Sequence, residues 1–201
     1  MKKDAYQPDK KLAAVCGLFC PACGIFIAQR ESLEKRKKMA ESLQITFEAL
    51  KCDGCRAENR LAYCDTCKMS ACAEEKGLDY CVECEEYPCT PLKEFQAAMP
   101  HRLELWQAQT RIKEVGYEKW FEEMLEHYSC TQCNTINSAY HLTCRSCGAT
   151  PSCAYVDLHK DEIMSYLSKK SGQSALDSRK EYHREKSSGS NVKSIYSMFD
   201  E

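Results

Sequence analysis

The chain has 201 residues, with 28 Lys+Arg against 30 Asp+Glu for a formal net charge of −2 at pH 7, and 16 of its residues are cysteine. The near-neutral balance excludes a polycation that holds nucleic acid by bulk charge, and no stretch approaches the apolar length of a membrane span. Cysteine at several times ordinary usage is the main compositional signal. The first residues imitate a secretory leader. However, Asp4, Gln7, Pro8 and Asp9 interrupt the basic head, and Pro21 breaks the apolar run over 12–19. A cytoplasmic, reduced chain is expected, and there clustered thiols read as metal ligands rather than disulfides.

In chain order, residues 1–11 read as a polar lead-in to a cysteine-rich metal-binding module over 12–98. Cys16-Gly-Leu-Phe-Cys20-Pro-Ala-Cys23-Gly24 forms a knuckle in which Gly17 and Gly24 let the backbone wrap an ion and Pro21 fixes one dihedral. The composition from residue 25 to about 50 predicts one long helix or two short ones. Either would carry the chain back so that Cys52-Asp-Gly-Cys55 meets the first knuckle. Cys64-Asp-Thr-Cys67 and Cys72 follow, with a helical turn over 71–76 stopped by Gly77. Then come Cys81-Val-Glu-Cys84-Glu-Glu-Tyr-Pro-Cys89 and a helix opened by Thr90-Pro91.

A helical connector over 99–129 places Leu105, Ala108, Ile112 and Val115 on one face and ends at Gly116. It resumes with Trp120, Phe121, Met124, Leu125 and Tyr128, a stripe read as core packing. Residues 130–169 hold Cys130-Thr-Gln-Cys133 and Cys144-Arg-Ser-Cys147-Gly148 around a β-prone loop at 139–143, which is zinc-ribbon spacing. A short helix is expected at 161–167. From 170 to 201 the chain reads as a disordered polar tail, with one apolar island at 195–199. The expected fold is a small metal-stabilised α+β arrangement.

Four thiolates at Cys130, Cys133, Cys144 and Cys147 suit a tetrahedral ion and leave no open catalytic position. Cys153 is left over as a buried apolar thiol, and His141 reads as a loop histidine. In the first module the candidate ligands are Cys16, Cys20, Cys23, Cys52, Cys55, Cys67, Cys72, Cys81, Cys84 and Cys89. Their division among ions is open: Cys20, Cys23, Cys52 and Cys55 with Cys67, Cys72, Cys81 and Cys84 as a second set, or Cys52 and Cys55 with Cys64 and Cys67, or a zinc cluster with bridging sulfurs. Zn2+ is the expected cofactor. An iron–sulfur cluster is the alternative, because Cys16-x3-Cys20-x2-Cys23 has the three-thiolate spacing of some four-iron clusters, although the run of bacterial ferredoxins is absent.

The ordered series Cys16-Gly-Leu-Phe-Cys20-Pro-Ala-Cys23, Cys52-Asp-Gly-Cys55, Cys67 through Cys72-Ala-Glu-Glu-Lys-Gly77, and Cys81-Val-Glu-Cys84-Glu-Glu-Tyr-Pro-Cys89 resembles a prokaryotic cysteine-rich family, domain of unknown function 3795. The resemblance covers roughly residues 14–95, and Cys64 is additional to its pattern. It implies a zinc-binding module of unassigned function and supplies no reaction.

The functional expectation is a non-enzymatic zinc module that binds a partner. That partner is expected to be a protein, with nucleic acid as a second class because of KRKK at 35–38 together with Tyr140 and Arg145. No membrane and no small-molecule substrate are expected. A redox or accessory iron–sulfur protein is the alternative function. A zinc or thiol enzyme is the third reading, disfavoured because no His/Asp or His/Glu pair stands near a knuckle in the sequence.

Overall fold

Ser32 divides the helix expected over 25–50 in two. Its extended backbone ends α1 (Gly24–Glu31), and its hydroxyl accepts the Lys35 N–H at 3.1 Å to cap α2 (Leu33–Ser42). The computed structural model describes residues 6–96 and 99–169. The polar tail expected over 170–201, with its apolar island, lies outside the described residues.

The helix does not run on to Leu50, because α2 closes in a Schellman arrangement. Gln44 turns left-handed at φ 55°, its N–H bonds Glu41 O at 3.0 Å, and Ile45 N–H bonds Ala40 O at 3.1 Å. Arg36 then anchors the returning chain through Leu50 O at 3.1 Å and Phe47 O at 3.2 Å, with its guanidinium over the Phe47 ring. This return brings residues 52–55 back beside α1.

Next come α3 (Ala62–Asp65) and α4 (Lys68–Glu75). The latter starts three residues before the expected turn and ends at the expected Gly77, which has φ 64°. Helix α5 (Thr90–Gln96) has Thr90 as its first residue. A single 3-10 turn at Pro100–Arg102 leads into α6 (Leu105–Val115), and Gly116 at φ 81° separates it from α7 (Tyr117–Tyr128).

The aromatic stripe of α7 is core. The Phe19 ring, from the first cysteine loop, meets Phe121 edge-on at 5.0 Å and Trp120 at 6.1 Å, and it stacks on Tyr128 at 5.9 Å. Gln109, fully buried on α6, takes the Val82 N–H at 2.6 Å and donates to Val15 O at 3.1 Å. The helical segment is thereby stitched into the loops that carry Cys16 and Cys81.

Among the described residues no β-strand forms. Pairing is limited to two isolated antiparallel bridges, Ala13 with Phe19 and Ser129 with Ile136. The α+β expectation therefore gives way to a small, mostly helical protein. The β-prone loop at 139–143 satisfies its polar groups locally instead. His141 N–H bonds Ser138 O at 3.0 Å, Tyr140 N–H reaches Ser138 Oγ at 3.3 Å, and His141 Nδ1 accepts Ser138 N–H at 3.2 Å.

Helix α8 (Ala154–Leu158) follows, burying Tyr155 and Val156. The chain divides into two compact units, Met1–Ile163 and Met164–Glu201. All elements named above belong to the first, and the described residues of the second, 164–169, are helical. No helix among the described residues is long and apolar enough to cross a membrane.

Candidate metal centre

Two matching loops build the C-terminal site. In the first, Cys130 N–H bonds Thr135 O at 2.9 Å and Asn134 N–H bonds Cys130 O at 2.8 Å. In the second, Cys144 N–H bonds Ala149 O at 2.7 Å and Gly148 N–H bonds Cys144 O at 3.0 Å. The residue after each second cysteine is left-handed, Asn134 at φ 56° and Gly148 at φ 76°. The same bonds recur at the same offsets, so both Cys-x2-Cys pairs turn their sulfurs inward.

The Sγ atoms of Cys130, Cys133, Cys144 and Cys147 all lie within 4.8 Å of one another. Cys130 and Cys147 sulfurs are 3.7 Å apart, and Cys133 and Cys144 are 3.6 Å apart. A tetrahedral ion with Zn–S bonds of about 2.3 Å requires sulfur–sulfur edges of about 3.8 Å, so the spacing fits. Cys130 and Cys144 are buried and Cys147 is exposed, which leaves the centre open to solvent from the Cys147 side.

The electrostatics divide the sulfurs. Hydrogen bonding with Thr135 brings the Cys133 thiol down to about 6 against the opposing effect of burial. At Cys144 burial pushes upward, but the Cys147 and Ser146 amides and the Asn137 side chain outweigh it and lower the thiol. At Cys147 the Ala149 amide pulls down, yet hydrogen bonding with Cys133, desolvation, and bonds with Cys130 and Cys144 push it up to about 12. The sulfurs of Cys133, Cys144 and Cys147 thus hold protons unevenly, and a cation would displace those that remain.

Asn137 is the residue in this site that spacing did not reveal. It is fully buried, donates to Thr135 O at 2.9 Å and Ser152 O at 3.1 Å, lies 3.6 Å from Cys144 Sγ, and accepts Arg145 N–H at 3.0 Å. It orients a ligand from behind, as groups outside a metal shell do. Cys153 is buried and outside the quartet, with burial raising its thiol.

All sixteen cysteines are free thiols. Among the described residues, the C-terminal quartet is the only set of three or more metal-binding side chains drawn within that 4.8 Å span. The first-module cysteines fall into two packed groups. Cys20 and Cys52 are buried with Cys23 and Cys55 around Phe26. Cys16 packs instead with Met69, Ala73, Leu92 and Leu105, with Cys67, Cys81 and Cys89 against it and Cys55 touching both groups. Cys72 is exposed, Cys84 Sγ accepts from Lys76 Nζ at 3.4 Å, and Cys64 is half-buried with its thiol pushed to about 11 by burial and by Cys55.

One further polar cluster escaped the sequence. Glu104, the residue just before α6, takes His127 Nε2 at 2.8 Å and His159 Nε2 at 2.7 Å. Burial acts to raise its carboxyl, but those two bonds prevail and hold it below the usual carboxylate value. The three groups come from distant positions with no local spacing, so nothing in the sequence joins them. Glu104, with His101, Phe19 and Tyr155, also lines a cleft of about 480 Å³.

Residues 12–94 match a family described as "Protein of unknown function (DUF3795)", so the first cysteine module is a domain of unknown function. The C-terminal quartet lies beyond the matched residues. No curated protein and no solved structure matches the chain.

Proposed function

We propose that this chain, built on a domain of unknown function, is a non-enzymatic zinc protein in which ions held by cysteine thiolates order the fold and the surface engages a protein partner. The observation that carries the reading is the convergence of Cys130, Cys133, Cys144 and Cys147 on one point. Four thiolates fill a tetrahedral shell and leave no position for substrate or water, so the role is structural. Zinc binding at such a site contributes folding free energy directly, and it requires a reducing compartment. The remaining candidate ligands, Cys16, Cys20, Cys23, Cys52, Cys55, Cys67, Cys72, Cys81, Cys84 and Cys89, supply further ions in the first module.

A protein partner is favoured over nucleic acid because three of the four cations in the basic run at 35–38 are engaged within the chain. Lys35 pairs with Glu31, Lys38 pairs with Glu34 at 2.9 Å, and Arg36 is committed to the carbonyls of Leu50 and Phe47.

Elemental analysis of protein purified under reducing conditions tests the reading. Zinc is expected to exceed one ion per chain, with Cys144→Ser losing one. Iron in place of zinc, or unchanged zinc in Cys144→Ser, would defeat it. Salt-sensitive binding to mixed-sequence DNA or RNA would overturn the choice of partner class.

A further inference from the structure

We propose that Cys20, Cys23, Cys52 and Cys55 form a second closed four-thiolate zinc site, and that Cys16, although part of the same Cys-x3-Cys-x2-Cys run, stands outside it. The inference takes the identity of the metal from the zinc reading above and assigns its second ion to named ligands.

Packing separates the run. Cys20 and Cys23 share one apolar cluster with Cys52, Cys55 and Phe26, closed by Tyr6 and Ile25. Cys16 belongs to the other cluster, against Met69, Leu92 and Leu105. A three-thiolate iron site would need Cys16 and Cys20 on one ion, and the two pack in different clusters that share Cys55 alone.

A backbone amide aims at a sulfur of this group: Cys55 N–H donates to Cys20 Sγ at 3.3 Å. In the C-terminal quartet the Asn137 side chain plays the same part, donating to Cys144 Sγ at 3.6 Å. A donor held against a sulfur from outside the shell is the arrangement that orients a metal ligand.

The loop that carries Cys52 and Cys55 is fixed on several sides. Gln29 of α1 accepts the Cys52 N–H, Arg30 donates to Cys52 O at 2.8 Å and pairs with Asp53 at 3.0 Å, and Arg60 donates to Cys55 O at 3.3 Å. Gly54 is required there. It has φ +126°, and a Cβ on it would lie 2.2 Å from Lys11 O. Arg56 and Arg60 also stand beside Cys55, each held by a carboxylate, Asp79 at 3.5 Å and Asp65 at 2.6 Å. These four sulfurs are not all within the 4.8 Å span of the C-terminal set, so zinc uptake here includes a short inward closure. The second ion is accordingly the first to leave under chelation.

The test uses the full zinc-loaded chain under reducing conditions. Elemental analysis should show that Cys20→Ser and Cys55→Ser each lose one zinc that Cys144→Ser keeps, whereas Cys16→Ser loses none. N-ethylmaleimide labelling of the unmutated protein, read by peptide mass spectrometry, removes any dependence on how the variants fold. Cys20, Cys23, Cys52 and Cys55 should become reactive together as the first zinc is withdrawn by chelator, before the C-terminal four. Labelling of these four that is indifferent to metal removal, or Cys16→Ser releasing the same ion, would overturn the assignment. Unchanged zinc in Cys144→Ser defeats the reading above, whereas unchanged zinc in Cys20→Ser and Cys55→Ser overturns this assignment alone.

Discussion

Gln44 and Gly77 occupy the same position in two helix ends. Each follows its helix by two residues in the left-handed region, at φ 55° and 64°, and each passes its N–H to a carbonyl of the last turn, Glu41 O at 3.0 Å and Glu74 O at 3.2 Å. Glycine occupies this position at no steric cost, whereas a residue with a Cβ pays about 1 kcal/mol there. Gln44→Gly should therefore stabilise the protein by roughly 0.5–1 kcal/mol. Gly77→Ala, whose Cβ meets nothing within 4 Å, should cost a similar amount through backbone strain alone. Denaturant midpoints of the zinc-loaded protein decide both, and a loss of stability in Gln44→Gly would contradict this account of the turn.

Asn137 makes a sharper demand. Its side chain satisfies Ser152 O, Thr135 O and the Arg145 amide while lying against the Cys144 sulfur. Asn137→Ala would leave buried groups unpaired at a cost of about 1–3 kcal/mol. It should also weaken zinc at the C-terminal site by roughly 10–100-fold, the usual consequence of losing a group that orients a ligand. Competition with a chromophoric chelator measures the affinity. An unchanged zinc affinity would reduce Asn137 to a loop-packing residue.

The C-terminal knuckles were legible because metal-ligand spacing is a local property. Two residues between cysteines set where the sulfurs point, and Gly148 follows the second pair in a turn that needs close backbone approach. Asn134 performs the same turn with a residue that gives a weaker signal. The helical stripe of Trp120, Phe121 and Tyr128 was readable as core by periodicity, and Gly77 and Gly116 as stops. Strand content was misjudged at 139–143 because β propensity there yields to Ser138 and His141, which satisfy the backbone within the loop. The Glu104, His127 and His159 network, and the two links made by Gln109, were beyond reach. They join residues tens of positions apart, which depends on how helices pack rather than on any local pattern.

His101 makes stability depend on pH. Burial, reinforced by the neighbouring Arg102, lowers its imidazole to about 4 while Nδ1 meets the Tyr140 hydroxyl at 2.7 Å. The unfolded chain takes up this proton near pH 6.5 and the folded protein near 4, so stability is full above about 6.5 and falls as pH drops toward 4. A depression of this size is worth roughly 2–3 kcal/mol across that window. Thiolate protonation also strips zinc in acid, so the quantity to follow is the difference between the wild type and His101→Gln. The wild type should lose stability faster than the variant between pH 6.5 and 4. Parallel profiles would mean that His101 does not carry this dependence.

Gln109 couples the helical segment to the first cysteine module. Its amide is fully buried and holds Val82 N–H at 2.6 Å and Val15 O at 3.1 Å, beside the two cysteines Cys81 and Cys16. Gln109→Leu preserves bulk but strands both backbone groups, and it should destabilise by about 2–4 kcal/mol. Gly17 lies against the same side chain: it has φ +87°, and a Cβ there would stand 2.9 Å from Gln109 Nε2. Gly17→Ala therefore carries two costs, backbone strain and this clash, and only the clash depends on Gln109. In a double-mutant cycle with Gln109→Ala, which removes the clashing amide, the combined loss should be smaller than the sum of the single losses by roughly 1 kcal/mol. Strict additivity in equilibrium unfolding would mean that the two residues act independently, and that Gly17 is required by its backbone conformation alone.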